Sequence, residues 1–396
     1  MLHQRPADLT ATKASALIPR DALKRAAMLL QAVIERRNTI PILSYIKVRI
    51  SPEGITLTGT DLDNMLTVRL EAETEGEATV MLASAVLAGF APIATGPVTL
   101  TLSAGNPKGN RPDMDVIQLS DGETAISVND HMPVEDFPEV WPKKHISALR
   151  PAVTLTQDQT ARLIRLCRHC ISTEETRYYL NGIWMTTKPG APTLRAVATN
   201  GHRMAVIDHD AEADFSASGD KGLIVPIKTI ELLRLIIGKG GNEPVQFDCG
   251  KNFLSVAVGG ITIHAKTIDG TFPDYTRVIP PPSGNLVAHL SGSALQRMWH
   301  AARAMREGST GAELNFVEGR IGFQSPSFHE ASFSMPLQAR RAEGCTIDAL
   351  GFNLGYLRDQ GAITPTFTIS TASADSPATI HSDDPDALWI LMPMRL

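Results

Sequence analysis

One order of segments occurs three times along the 396 residues, and this repetition restricts the possible folds more than any local motif does. Each copy opens on a stretch with helical spacing: 20–37, 156–170 and 291–306. Each of these begins with a capping residue or an acid in its first turn. Apolar runs bounded by turn residues follow. They are 46–50, 55–59 and 65–70 in the first copy, 178–185, 194–199 and 202–206 in the second, and 313–317, 320–324 and 331–336 in the third. In the second copy Lys188-Pro189-Gly190 and Asn200-Gly201 supply the turns. A short strand and a second helix come next, at 78–94, 222–237 and 345–360. The copies close at Asp136-Phe137-Pro138, Thr271-Phe272-Pro273 and Leu391-Met392-Pro393. Helices that must lay an apolar stripe on sheets in this order predict an α+β fold of three similar units.

Boundaries follow the repeats. The stretch 141–153 carries Pro142, Lys143, Lys144 and Pro151, and 280–284 reads Pro-Pro-Pro-Ser-Gly. The expected domains are therefore 1–150, 151–282 and 283–396, the first with a short N-terminal extension. Residues 105–115, rich in Pro, Gly and Asn, are expected to form a surface loop. Residues 1–17 lack the apolar core and cleavage site of a signal peptide, and no apolar run approaches the ~18 residues of a membrane span. Four cysteines in a chain this long make no disulfide framework, which fits a reducing cytoplasm.

The net charge of -5 alone argues mildly against nucleic acid, but the charge is unevenly placed. Arg162, Arg165 and Arg168 recur three apart and predict a cationic ridge. Lys24, Arg25, Arg36 and Arg37 mark the first helix, Lys228, Arg234 and Lys239 the second helix of the middle copy, and Arg297, Arg303 and Arg306 the first helix of the last. Basic helices sharing one side would attract a polyphosphate without reading bases.

Several motifs have plainer readings. Cys167-Arg168-His169-Cys170 has metal-like spacing but no second ligand pair, so core cysteines are expected. Asp61-Leu62-Asp63 resembles a metal-binding DxD, and the alternative it raises is a metal-dependent nucleotide-sugar enzyme. Its register with Thr199-Asn200 favours a turn. Gly238-Lys239-Gly240-Gly241 follows a helix and reads as its stop. His202 has no nucleophile or carboxylate at a recognisable spacing. No cofactor, metal or catalytic residue is expected.

The segments Arg177-Tyr178-Tyr179-Leu180-Asn181-Gly182 and 197–206 (VATNGHRMAV) resemble the second domain of the bacterial DNA polymerase III beta sliding clamps. Asn38 to Leu43, Ile224-Val225-Pro226 with Lys228, Asp269 to Tyr275 and the terminal Met392-Pro393-Met394-Arg395-Leu396 extend the resemblance over nearly the whole chain. It implies three clamp domains, each with two helices packed on sheets, and a head-to-tail dimer forming a six-domain ring. It implies a processivity factor, not an enzyme, with duplex DNA, the replicative polymerase, a clamp-loader ATPase and other replication and repair proteins as partners. A clamp-derived scaffold that does not encircle DNA is the other alternative.

The resemblance also assigns two sites. A partner cleft would take Leu180, Thr199, Gly201, His202, Arg203, Met204, Pro273, Arg277, Val278, Asn353, Tyr356, Met392, Pro393, Met394, Arg395 and Leu396. The DNA path would take Arg37, Arg177, Tyr178, Tyr179 and Lys228. Three positions depart from the family pattern. Ile227 precedes Lys228 where a second basic residue is common, Glu174 and Glu175 make the loop before Arg177 acidic, and Arg306-Glu307 stands where the dimer seam is apolar. Ile126 and Val128 are the candidates for the facing side of that seam.

Overall fold

The structure, a computed structural model, describes residues 12–34, 39–104, 115–129, 132–138, 141, 143–219, 222–281, 286–304, 311–324, 332–343 and 345–395. Arg36, Arg37, Arg306, Glu307 and Leu396 lie outside the described residues, as does most of the loop expected at 105–115. The chain forms two compact units, Met1–Gln157 with Glu231–Lys266, and Asp158–Ile230 with Thr267–Leu396.

In the first unit a five-stranded antiparallel sheet runs Glu73–Gly76, Thr12–Ile18, Val98–Ser103, Val116–Ser120, Ala125–Val128. An eight-stranded sheet runs Arg150–Thr156, Pro244–Gly250, Phe253–Val258, Ile261–Lys266, Asn64–Leu70, Gly54–Thr60, Tyr45–Ser51, Ala78–Ala83. The helix Arg20–Val33 buries Leu23, Ala26, Leu29, Leu30 and Val33, a stripe at three- and four-residue spacing, and packs on Gly54–Thr60 and Asn64–Leu70. Within the expected N-terminal extension, Thr12–Ile18 is a strand of the five-stranded sheet. Ala14, Ala16 and Ile18 alternate inward, but small residues on a period of two leave a weak signal. Each repeat therefore opens on a strand, and Arg150–Thr156 and Leu286–Ser291 are the other two.

The second unit holds a nine-stranded sheet ordered Leu223–Pro226, Gly182–Thr187, Thr193–Thr199, Arg203–Glu212, Ala387–Leu391, Ala378–His381, Thr366–Thr371, Leu286–Ser291, Gln338–Arg341. A four-stranded sheet runs Ser332–Pro336, Arg320–Gln324, Gly311–Asn315, Ala349–Asn353. The helices Gly292–Ala304 and Leu354–Ile363 pack directly on each other. A Cβ on Gly292 would lie 2.1 Å from the Gly361 carbonyl oxygen, so the contact tolerates no side chain there.

The large sheets cross the repeat boundaries. Ile261–Lys266 of the middle repeat pairs antiparallel with Asn64–Leu70 of the first, and Ala387–Leu391 of the last pairs with Arg203–Glu212 of the middle. The stretch expected as a connection at 141–153 is packed. Trp141 is buried edge-on against Phe253 at 5.0 Å, and His145 stacks on the same ring at 4.5 Å.

Candidate partner-binding cleft

The cleft is built on a turn. Thr199 Oγ1 donates to the Arg203 carbonyl (2.9 Å) and accepts from Gly201 N (3.1 Å). Asn200 Oδ1 accepts from His202 N and Arg203 N, each at 3.0 Å. Gly201 sits at φ +88°, which a side chain would strain. These bonds end Thr193–Thr199, start Arg203–Glu212 and turn Met204 inward. Leu180, Val197, Met204, Val206, Ile224, Phe272, Tyr275 and Ile390 form the buried floor. Trp184 stacks on Phe272 at 5.3 Å.

Above this floor opens a cavity of about 180 Å³. Leu180, Thr199, Gly201, His202, Arg203, Met204, Pro273, Val278 and Met392 of the expected cleft residues line it together. Asp274, Tyr275 and Ile390 line it as well, and sequence reasoning missed them. Tyr275 is held from behind, where Arg195 Nη1 donates to its hydroxyl (3.1 Å) while Arg195 grips Asp208 at 2.6 and 2.8 Å. Burial would raise the Asp208 carboxyl, but hydrogen bonds from Arg195 and Lys188 outweigh it and hold the group below its ordinary value. The lining is mainly apolar with a polar rim, the chemistry that receives short apolar side chains under orienting donors.

Other expected cleft residues lie beside this cavity. The Arg203 guanidinium stacks over Tyr356 at 4.3 Å and donates to Asp359 at 2.8 Å, while the His202 ring faces Tyr356 at 6.4 Å. Asn353 caps the helix Leu354–Ile363 by accepting from Tyr356 N, so it positions Tyr356. Arg277 is exposed next to Val278. Met394 donates its backbone N–H to Gly351 O (2.9 Å), and with Arg395 it lines a separate, more polar cavity of about 580 Å³ on the four-stranded sheet. Pro393 joins the two places.

Comparison with known proteins follows the same lines. Family models for the DNA polymerase III beta subunit match residues 15–90 (N-terminal domain) and 154–274 (central domain). The beta sliding clamp of Caulobacter vibrioides NA1000 is 31% identical over 392 residues, covering 96% of this chain and 99% of that protein. The chain belongs to the beta sliding clamp family. It shares with that family a three-domain clamp fold and the role of DNA polymerase processivity factor, which is not enzymatic. The beta sliding clamp of Pseudomonas aeruginosa PAO1 is 29% identical, with 96% and 99% of the two chains covered. The Caulobacter crescentus clamp structure superposes with a TM-score of 0.83 at 28% identity, covering 97% of this chain and 99% of that one. A Bartonella birtlesii sliding clamp bound to griselimycin has a TM-score of 0.81 at 26% identity, with 96% and 99% covered.

The expected DNA-path residues of this clamp chain are more dispersed. Arg177, Tyr178 and Tyr179 lie on the 3-10 helix Glu175–Leu180, not on a strand. Arg177 pairs with Glu174 at 3.3 Å, and its Nη1 stands 2.8 Å from where a Cβ on Gly201 would be, at the cleft turn. Tyr178 is 52% exposed, whereas Tyr179 packs against the cleft floor. Lys228 is half-buried in the first turn of Ile227–Ile237, and Arg37 lies outside the described residues.

Of the ridge of three arginines, Arg165 and Arg168 are exposed, and Arg162 is tied to an acid. Arg162 is bound bidentately by Asp384 at 2.9 and 2.5 Å, and Arg165 donates to the Ile363 carbonyl. An acid more than two hundred residues away in sequence neutralises the first member. The DxD reading is consumed likewise. Asp61 Oδ1 accepts from Asp63 N and Asn64 N, and Asp63 pairs with Lys266 at 3.0 Å.

Cys167 and Cys170 are buried, and burial pushes the Cys170 thiol up to about 12 and raises Cys167 too. His169 Nε2 lies 3.2 Å from Gln360 Oε1, behind the Arg203–Asp359 pair, with Nδ1 buried and unpartnered. Burial first, and then the Arg203 guanidinium, hold His169 at about 4 against its ordinary 6.5. Below pH 6.5 the unfolded chain takes up a proton that the folded chain refuses. Stability from this group is complete above that pH and is lost progressively toward about pH 4. Urea unfolding should show about 2 kcal/mol lost between roughly pH 7.5 and pH 5. His169→Phe should remove that part of the slope; an unchanged slope rejects the assignment.

Proposed function

We propose that two copies of this chain join head to tail into a six-domain ring that encircles duplex DNA, and that the 180 Å³ cleft docks short segments of the replicative polymerase, clamp loader and repair proteins in the cytoplasm. The pattern of strand pairing is the observation that carries the ring. In the first and middle repeats the third strand after the opening helix region pairs with the closing strand of the next repeat, Asn64–Leu70 with Ile261–Lys266 and Arg203–Glu212 with Ala387–Leu391. By order in the repeat, the last such third strand is Ser332–Pro336, and the first repeat's closing strand is Ala125–Val128. Both lie at sheet edges among the described residues. An exposed edge is a template for a further strand. Pairing these two edges between chains would make a nine-stranded sheet and extend one rule to all three junctions.

Exposed Lys24, Lys239, Arg297 and Arg303 supply phosphate contacts of the kind that hold a duplex without reading it. A closed ring with such contacts slides yet cannot leave sideways. Griselimycin, bound by the Bartonella clamp, is expected to occupy the same cleft here. Retention on DNA tests the ring. Loaded protein should stay on nicked circular DNA through gel filtration and be lost when the circle is linearised. Equal retention on both would contradict encirclement. Among the described residues no helix is long and apolar enough to cross a membrane.

A further inference from the structure

We propose that the first repeat contains a second copy of the cleft and that Leu62 of the same chain occupies it. The proposal rests on reading the 180 Å³ cavity as the partner site. The turn after Gly54–Thr60 repeats the cleft turn bond for bond. Thr60 Oγ1 donates to Asn64 O (2.9 Å) and accepts from Leu62 N (3.0 Å), and Asp61 Oδ1 accepts from Asp63 N (2.9 Å) and Asn64 N (2.5 Å). The adjacent strand repeats as well. Lys266 N donates to Asp63 O at 2.8 Å, as Met392 N donates to His202 O at 2.9 Å.

The floors correspond. Ile42, Leu43, Met81 and Phe137 form a buried cluster beneath the first turn. Met81 stands opposite Lys47 as Ile224 stands opposite Trp184. Lys47 lies over the Phe137 ring at 5.5 Å, where Trp184 covers Phe272.

Among the positions that differ, two close the site. Leu62 stands in the place of Gly201, and its side chain packs on the Ile42–Phe137 cluster. It does so at φ +77°, a left-handed conformation that a leucine adopts only at a cost. The apolar contact offsets that strain, since without it the recess would stand open to water. Lys266 stands in the place of Met392 and is tied to Asp63 at 3.0 Å, which puts an ion pair where the working cleft has a thioether. Leu62 is thus an internal occupant, and it leaves one open cleft per chain for apolar peptides.

Griselimycin titrated by calorimetry tests this. The natural chain should bind one molecule per chain. The variant Leu62→Gly, Lys266→Met should bind two, and adding Val278→Asp and Met392→Asp should leave one, now in the first repeat. A stoichiometry that stays at one in the opened variant overturns the plug. If the glycine variant does not fold, Leu62→Asn, which tolerates positive φ, takes its place and must give the same second site. Absence of binding by the natural chain would reject the cleft reading itself, and this proposal with it.

Discussion

Val278→Asp with Met392→Asp should weaken griselimycin binding by at least ~100-fold while leaving the melting temperature within a few degrees of the natural chain. Val278 is 47% exposed and Met392 37% exposed, so neither supports the floor. Covering the exposed part of one such side chain with a ligand is worth roughly 0.6–1.4 kcal/mol, and desolvating a carboxylate in its place costs roughly 1–3 kcal/mol or more. Two positions together exceed the roughly 2.7 kcal/mol that a hundredfold change requires. Met204→Asp, the more obvious choice, is less informative. Met204 is 3% exposed in the buried cluster, and a charge there would attack the fold as well as the cleft. Fluorescence anisotropy with labelled griselimycin gives the affinity. A change below threefold, with the protein folded, would remove the cleft from this cavity.

On the proposed ring, Ile126→Lys with Ser127→Pro should turn a dimer into a monomer of 42.7 kDa, read by light scattering at micromolar concentration. Ala125–Val128 is an outer strand of the five-stranded sheet, and Ile126 is 37% exposed on it. Proline removes a backbone donor and lysine adds charge to the edge, the two devices that keep natural edges from pairing. The pairing of Ala125–Val128 with the five-stranded sheet through Val116–Ser120 should persist, so the melting temperature should change little. A variant that remains dimeric would place the seam elsewhere. A natural chain that is monomeric would favour the scaffold reading.

The repeat, the element types and the turn at Asn200-Gly201 were legible because they depend on near neighbours. Helical spacing, a proline or a glycine acts within a few residues. The turn that builds the candidate cleft was legible for the same reason: Thr199 to Met204 is one turn and its strand. Tyr275 lay inside a run already singled out, yet its role depends on Arg195 and Asp208, which no local pattern joins to it. That Asn353 caps a helix and so positions Tyr356 was not legible, because the same side chain has many possible partners until the fold supplies one. Arg162 read as part of a cationic face, and only its bidentate bond to Asp384 revealed a neutralised charge.

By itself, then, the amino-acid order determined a threefold α+β chain with basic helices, a pivotal glycine turn and a methionine-bearing end, since period and turn chemistry are properties of adjacent residues. The tertiary structure decided which charges are spent on partners within the chain, which strands lie at the edges, and that Leu62 packs on the Ile42–Phe137 cluster at a turn whose counterpart carries Gly201. Those outcomes depend on strands and side chains brought together from distant positions, where packing and desolvation, not local preference, determine the state of each group.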